Sequence, residues 1–424
     1  MCVDQARNRH VERLVVTSLV LLAALPAIMT VARASPPLIA TIIALLLGIA
    51  AWHDGSSFDM IRKFKRFALG PAGMLLIAGF VLMALSLLWS PAPERALRHL
   101  FQLAGSALVI GVLLISIPWR HSEKLNLLMP IGLALAAGLV IVHFTMTGPV
   151  DTFVGVTAEG YYLNRTAVAL ALFAPVVLTV LWRKGSHLPS AVLSIVILVA
   201  IWLSDSWSAK LASLVIAGSV PLSLLAPRRF HMVAVIAMLV ALLAVPLYVG
   251  FINNLIPHRV HEAVGYGSLT VRGEIWREYA SLIWHRPILG FGLEASNVIA
   301  RTEYAAGMSE AQIHLLSYGH PHNALVQIWF EFGLAGALIA ASLLGRLFGA
   351  MTRLEDSQLS MATTTALVVY TVACVSHGAW QAWWICLVGL AAFAFMLQMM
   401  APSPRDAQEP HASELKPRAP QSAT

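Results

Sequence analysis

Residues 319–345 read GHPHNALVQIWFEFGLAGALIAASLLG, and this stretch decides how the whole chain is interpreted. From Asn323 onward it is long and apolar enough for an α-helix to cross a bilayer, which takes about 20 residues. Immediately before this run stands His322. Its imidazole would lie at the membrane surface, at the positive end of a helix dipole. We therefore expect chemistry at this boundary.

The rest of the chain has the composition of an integral membrane protein. Of its 424 residues 58% are hydrophobic and only 12% are charged, and the mean hydropathy is +0.76. We predict an all-α polytopic fold with about twelve transmembrane helices. The apolar segments are 14–31, 37–52, 70–89, 99–118, 125–147, 165–182, 188–203, 208–226, 230–250, 323–345, 358–376 and 380–398. The first segment lacks a cleavage site, so we interpret it as a span rather than a signal peptide.

These spans divide the chain into four parts. Residues 1–250 hold helices 1–9, residues 251–321 form one large loop, residues 322–398 hold helices 10–12, and residues 399–424 form a polar tail. The composition of the tail predicts disorder.

The large loop is expected to contain amphipathic helices. Residues Val271–Trp284 show a helical period of apolar side chains, and a second helix is expected from Glu294 to Leu316. Unstructured loops of this length are uncommon, and long loops are often functional. We therefore expect this loop to contribute to the site.

The distribution of basic residues predicts the orientation in the membrane. With the N-terminus in the cytoplasm, 18 of the 28 Lys and Arg residues fall inside and 10 outside, as the positive-inside rule requires. Both termini are then cytoplasmic, and the loop 251–321 faces outward. The net charge of +7 suits anionic membrane lipid better than nucleic acid. The three cysteines include no external pair, so no disulfide is expected.

Basic residues also stand where the dipole of a helix disfavours them. Arg98, Arg165 and Lys210 lie at the outward N-terminal ends of predicted spans, as does His322. Such an arrangement is favourable when an anion lies among the helix ends. It therefore predicts a site for a strongly anionic group such as a phosphate or pyrophosphate.

A metal ion is not expected at this site, and no cofactor is predicted. Mg²⁺ prefers carboxylate ligands, but the only aspartates on the predicted outer face, Asp151 and Asp205, are far apart in sequence. Arginine and lysine would then neutralise the anion.

Three motifs together resemble the O-antigen ligase and polymerase superfamily. The first is His322-Asn323 followed after nine residues by Gly333-Leu334-Ala335-Gly336. The second combines Arg272-Gly273-Glu274-Ile275-Trp276 with Arg286-Pro287-Ile288-Leu289-Gly290-Phe291-Gly292, and the third is Asn164-Arg165. One departure is Ser206-Trp207-Ser208-Ala209-Lys210, where the family often has Ser-Arg.

The resemblance implies a metal-independent glycosyltransferase of the bacterial inner membrane with a periplasmic active site. Its donor would be O-antigen linked to undecaprenyl pyrophosphate, and its acceptor a sugar hydroxyl of the lipid A-core oligosaccharide. The residues fit this reaction. His322 and Arg272 are the expected catalytic residues, with neutral His322 as general base. Pyrophosphate binding is expected of Arg165, Lys210, Arg272 and Arg286, with Asn164 and Asn323 in support. In-line displacement would invert the anomeric configuration.

Simpler roles remain open for several residues. Arg272 could pair with Glu274 or Glu278, and Lys210 with Asp205. Gln327 and Glu331 share a helix face with Asn323 and could bond to neighbouring helices. The tryptophans Trp380, Trp383 and Trp384 are typical of an interfacial belt.

Other functions also remain open. An O-antigen polymerase or a protein O-oligosaccharyltransferase would have the same fold. From a different class, a lipid or sugar transporter is less favoured. Transporters often carry internal repeats and charges near mid-membrane, and here the charges gather at the outer boundary.

Overall fold

The computed structural model describes residues 2–117, 121–146, 160–257, 259–260, 262 and 269–399, and within these ranges the chain is helical with no strand. Its α-helices are α1 Cys2–Val31, α2 Pro36–Asp54, α3 Ser57–Ala68, α4 Pro71–Ser86, α5 Pro93–Ile115, α6 Ser122–Thr145, α7 Asn164–Arg183, α8 His187–Leu203, α9 Trp207–Leu225, α10 Pro227–Leu243, α11 Val245–Tyr248, α12 Ile252–Leu255, α13 Leu269–Ile283, α14 Glu310–Leu316, α15 Ala324–Met351, α16 Asp356–Val375 and α17 Ala382–Met399. The predicted tail lies outside the described residues from residue 400 onward, as does Asp151.

The described helices confirm a polytopic membrane fold. Eight of them are long and apolar enough to cross a bilayer, and a ninth span results if α3 and α4, bent by 71°, count as one. Every predicted span coincides with a helix, but α8, α10 and α17 have only 17 or 18 residues. The number twelve therefore stays a prediction.

Helix α7 occupies the centre of the bundle. Every residue from Thr166 to Val177 is buried, as expected for a helix that is apolar on all sides. Helices α1, α6, α8, α9, α16 and α17 pack around it. Its first turn, which carries Arg165, therefore lies in the middle of one end of the bundle.

The connections predicted to lie outside meet at this same end. Arg165 reaches the turn between α1 and α2, Ser90 reaches the large loop, and Ser208 at the start of α9 reaches Ser376 after α16. At the opposite end, ion pairs join Lys124 to Glu12 and Arg228 to Asp356. The predicted alternation of the loops is thus reproduced, while the compartment that each end faces stays a prediction.

The large loop is more irregular than the sequence predicts. The first amphipathic helix is confirmed as α13, and its predicted apolar face, Ile275, Tyr279, Leu282 and Ile283, is buried. The continuous helix from Glu294 to Leu316 is wrong. Three short 3₁₀ turns precede α14, because Glu294 and Gly307 adopt left-handed backbone conformations and Ser309 starts a new helix with a capping box.

Candidate functional site

Helix α15 is broken at Gly333, and the loop turn 287–292 fits into the break. Gly333 has φ 57° and ψ −151°, so the backbone groups around it have no partner within the helix. The turn supplies those partners and is thereby fastened to the membrane helix. The bonds run from Leu334 N to Pro287 O (2.8 Å), Ala335 N to Ile288 O (3.0 Å), Phe291 N to Phe330 O (2.9 Å) and Gly292 N to Glu331 O (2.8 Å).

The glycines of both motifs are required by this contact. A Cβ atom on Gly333 would lie 2.5 Å from the carbonyl carbon of Ile288, and one on Gly290 would lie 2.4 Å from that of Glu331. Both glycines also have positive φ, which disfavours other residues. Gly333 therefore permits a close approach of the loop backbone.

Immediately before α15, the backbone of His322 is left-handed, with φ 52°. The next residue, Asn323, is buried and caps the helix, because its Oδ1 accepts bonds from Leu325 N (3.0 Å) and Val326 N (3.2 Å). Asn323 thus supports His322 through the backbone that both share.

The imidazole of His322 has one nitrogen engaged, and the other has no hydrogen-bond partner in the part of the chain that the structure describes. Its Nδ1 lies 3.2 Å from the carbonyl oxygen of Ser376. A carbonyl can only accept a hydrogen bond, so Nδ1 carries the proton and Nε2 keeps its lone pair. Burial and the positive charge of Arg272 lower the pKa of His322, although the bond to Ser376 opposes this. The side chain is therefore neutral near pH 7.

The ring of His320 packs against that of His322, with centroids 4.1 Å apart, but His320 cannot act in the same way. The backbone N–H of His322 points at Nδ1 of His320 (3.1 Å), and Nε2 of Gln381 lies 3.2 Å from its other nitrogen. Because Nδ1 accepts the bond from His322, the neutral ring carries its proton on Nε2. Burial, together with the charge of His322, lowers the pKa of His320 to about 3. His320 therefore has no free nitrogen for catalysis.

Arg272, on the first turn of α13, reaches the C-terminal end of α16. Its guanidinium donates to the carbonyl oxygen of Val375 at 2.7 Å, where the helix dipole favours a cation. Burial lowers its pKa from the ordinary arginine value. The alternative pairing with Glu278 is not formed; that buried carboxylate accepts a bond from Gln312. Arg272 thus faces the site without a carboxylate partner among the described residues.

Arg165 joins the same cluster from the centre of the bundle. Its guanidinium lies over the ring of Trp383, 4.4 Å from the centroid, and it donates a long hydrogen bond to the carbonyl oxygen of Arg33 (3.4 Å). Arg33 itself lies over the ring of Tyr162 at 5.0 Å. Sequence reasoning missed Arg33, although it is one of the ten basic residues on the predicted outer side.

The connection between α16 and α17 contributes a third histidine that sequence reasoning missed. His377 is hydrogen-bonded to the hydroxyl of Ser376 (2.9 Å) and packs edge-on against Trp383. Burial first, and then Arg165, His320, His322 and Arg272, lower its pKa well below the ordinary value. Trp383 and Trp384 are buried at 6% and 5% exposure, so their assignment to an interfacial belt is wrong.

The side chains of the remaining predicted site residues, Lys210, Arg286 and Asn164, have no polar or ring contact with the other site residues among the described residues. Lys210 lies over its helix neighbour Trp207 at 4.7 Å, and Arg286 donates to the hydroxyl of Tyr304 at 2.6 Å inside the loop. Asn164 begins α7, and its buried Oδ1 has no hydrogen-bond partner in the described part of the chain. Their roles at the site stay predictions, and the contacts of Arg286 favour a role in holding the loop.

The buried Glu331 ties three parts of this end together. Its carboxyl group accepts bonds from Gln327 Nε2 (3.0 Å), Trp380 Nε1 (2.7 Å) and the hydroxyl of Ser296. These partners belong to α15, the connection after α16 and the large loop. The sequence predicted bonds from Glu331 to neighbouring helices, but its partners lie on its own helix, in a connection and in the loop.

We call Arg33, Arg165, Arg272, His320, His322 and His377 the cationic cluster. Within the described residues, none of its three arginines forms an ion pair with a carboxylate. No group of three or more His, Cys, Asp or Glu side chains in that part of the chain is arranged to hold a metal ion. The cluster can thus bind a polyanion and accept one proton at His322.

Comparison with known proteins agrees with the motifs. Residues 192–341 match the model of a family described as O-antigen ligase. Candidate polysaccharide ligases of Rickettsia are similar to this chain. That of Rickettsia typhi is 27% identical over 57% of this chain and 60% of its own length, and that of Rickettsia bellii is 24% identical over 81% and 88%. The match thus spans less than two thirds of the R. typhi protein.

Proposed function

This chain belongs to the O-antigen ligase superfamily, and we propose that it is a glycosyltransferase that joins a lipid-linked polysaccharide to a lipid-linked acceptor sugar. The donor is O-antigen on undecaprenyl pyrophosphate. The acceptor is a sugar hydroxyl of the lipid A-core oligosaccharide. The site lies on the periplasmic face of the bacterial inner membrane, and both termini are cytoplasmic.

One observation carries this proposal. Arg272 lies near His322, both lie with Arg165 around His377, and Arg33 lies beside Arg165. None of these arginines pairs with a carboxylate in the described chain. Burying such charges is unfavourable unless an anion joins them. A pyrophosphate supplies that anion, and guanidinium groups bind phosphate oxygens in a bidentate manner.

The reaction assigns each residue a step. The acceptor hydroxyl attacks the anomeric carbon of the donor, and its proton passes to Nε2 of His322. A glycosidic C–O bond forms as the bond from the anomeric carbon to the pyrophosphate oxygen breaks. The leaving oxygen gains negative charge, which Arg165 and Arg272 stabilise, with Arg33 beside them. In-line displacement inverts the anomeric configuration.

No divalent metal takes part in this proposal. Arginine side chains supply the charge that a metal ion would otherwise supply, and they do so at fixed positions. Transfer should therefore continue when a chelator such as EDTA is present throughout.

The test compares two histidine variants of the purified, reconstituted protein. His322→Ala should lower transfer of lipid-linked O-antigen to lipid A-core by at least about 100-fold, the usual contribution of a general base. His314→Ala is the matched control, because His314 is an exposed histidine of the same loop, and it should keep full transfer.

Three results would contradict parts of the proposal. Equal transfer by wild type and a folded His322→Ala variant would remove the general-base role. Loss of transfer in EDTA, restored by Mg²⁺, would remove metal independence. Elongation of the lipid-linked donor without transfer to lipid A-core would identify a polymerase instead.

A further inference from the structure

Helix α3 contacts α2, α4 and α5 but buries none of its side chains. It reads SFDMIRKFKRFA, and none of its residues is buried. Met60, Ile61, Phe64 and Phe67 recur at the spacing of one helix face, whereas Arg62 and Arg66 lie on the opposite face. Lys63 and Lys65 flank the two faces. Such a strongly amphipathic helix is typical of a membrane surface.

The geometry of the chain places α3 along such a surface. After Leu69 and Gly70 the chain turns by 71° into the apolar helix α4. The far end of α4 lies at the same end of the bundle as the cationic cluster, because Leu293 N in the large loop donates to the hydroxyl of Ser86 (3.1 Å). If α4 runs across the bilayer, α3 lies nearly in the membrane plane at the opposite end.

At that position the apolar side chains of α3 would face the acyl chains of the bilayer, and its basic side chains would face the lipid headgroups. Ile61 is 53% exposed and Phe58 83%, although both are large and apolar. Phe64 lies beside α5 near Gly111, so the apolar side of α3 continues the lipid-facing surface of the bundle. The flanking lysines can extend their stems toward the headgroups. Basic residues at this depth attract anionic lipids.

We propose that α3 is a docking helix for anionic phospholipid headgroups, in the leaflet opposite the cationic cluster. Its four basic residues, Arg62, Lys63, Lys65 and Arg66, exceed its single acidic residue, Asp59, which is bonded to Arg62 (2.5 Å). The occupant is thus a bilayer surface of negative charge. This inference concerns an element far from the reaction and does not depend on it.

The test measures how deeply α3 enters the bilayer of reconstituted full-length protein. A fluorophore is attached to Ile61→Cys in a Cys2→Ser background, since Cys374 and Cys386 are partly or fully buried. Vesicles contain phosphatidylcholine alone or with phosphatidylglycerol, and lipids with a nitroxide on the acyl chain report immersion by quenching. Quenching should rise at least twofold when phosphatidylglycerol is present.

Charge variants separate anionic recognition from folding. Lys65→Gln with Arg66→Gln should abolish the dependence on phosphatidylglycerol, and Lys65→Arg with Arg66→Lys should retain it. Arg183→Gln with Lys184→Gln removes two charges from the same end, at the end of α7, and should change nothing. Equal quenching in both lipid mixtures, or no quenching in either, would overturn the proposal.

Discussion

The Nδ1 atom of His322 lies 3.2 Å from the carbonyl oxygen of Ser376, and this relationship fixes which nitrogen of the imidazole can take a proton. The carbonyl belongs to the connection that follows α16, whereas His322 precedes α15. Two segments more than 50 residues apart in sequence therefore set the tautomer. Because Val375, the residue before Ser376, accepts from Arg272, the same helix end orients both the base and a cation.

The first prediction concerns the pH dependence of transfer. Only the neutral imidazole of His322 accepts a proton, and burial and Arg272 lower its pKa below the ordinary value of 6.5. Activity should therefore stay high as pH falls to 6.5 and decline only at lower pH. Initial rates of transfer between pH 4.5 and pH 8.5 would measure this, with vesicle integrity as the control.

Arg272→Gln provides a second readout of the same group. Removing the guanidinium removes a positive charge that opposes protonation of His322, so the acid limb should move to higher pH as the plateau falls. An acid limb in the wild type at or above pH 6.5 would contradict a lowered pKa. An unchanged limb in the variant would show that Arg272 does not act on His322.

The second prediction concerns Arg272 itself. Arg272→Ala should lower kcat/KM by about 100-fold to 1,000-fold, because one preorganised donor at a developing oxyanion contributes about that much. Arg272→Lys should fall between alanine and wild type, since lysine keeps the charge but loses the bidentate geometry. Arg277→Ala is the control on the same helix, where the side chain is 59% exposed, and should leave transfer unchanged.

The sequence predicted the membrane helices well because each one must bury a long apolar run, whatever its neighbours are. A dipole argument at helix ends also selected His322 and Arg165 as candidates, and a motif selected Arg272; their roles stay predictions. The sequence did not identify Arg33 and His377 as candidate site residues. Nothing local distinguishes an arginine in a short turn, and only the packing of Trp383 and Trp384 brings His377 beside Arg165.

The large loop was predicted less well, for a related reason. The apolar residues of 294–305 have a spacing that predicts a helix. In the structure this segment instead forms hydrogen bonds and ion pairs with groups of α15 and α5. Glu294, for example, accepts from Arg95 (2.6 Å) and His99 (2.8 Å) across the bundle. Contacts between residues about 200 positions apart override local helical periodicity.

The third prediction concerns the break in α15. Gly333→Ala should destabilise the protein by at least about 1–3 kcal/mol, because an alanine is strained by about that much at this positive φ. The new Cβ would in addition collide with the backbone of Ile288. Gly345→Ala in the same helix is the control, since nothing lies within 4 Å of its Cβ position. That change should be neutral or stabilise by up to about 1 kcal/mol. Thermal unfolding in detergent compares the two, and equal midpoints would refute the role of the break.

The fourth prediction concerns the bond between Glu331 and Trp380. In Glu331→Gln the new amide can keep its oxygen toward Ser296 and Gln327, but its NH₂ group then faces the indole N–H of Trp380. Two donors in contact at a buried site should cost about 1–3 kcal/mol. Trp380→Phe removes one donor, so the double variant should lose less than the sum of the single variants. A double-mutant cycle of unfolding midpoints measures this coupling, and additive effects would show that the two residues do not interact.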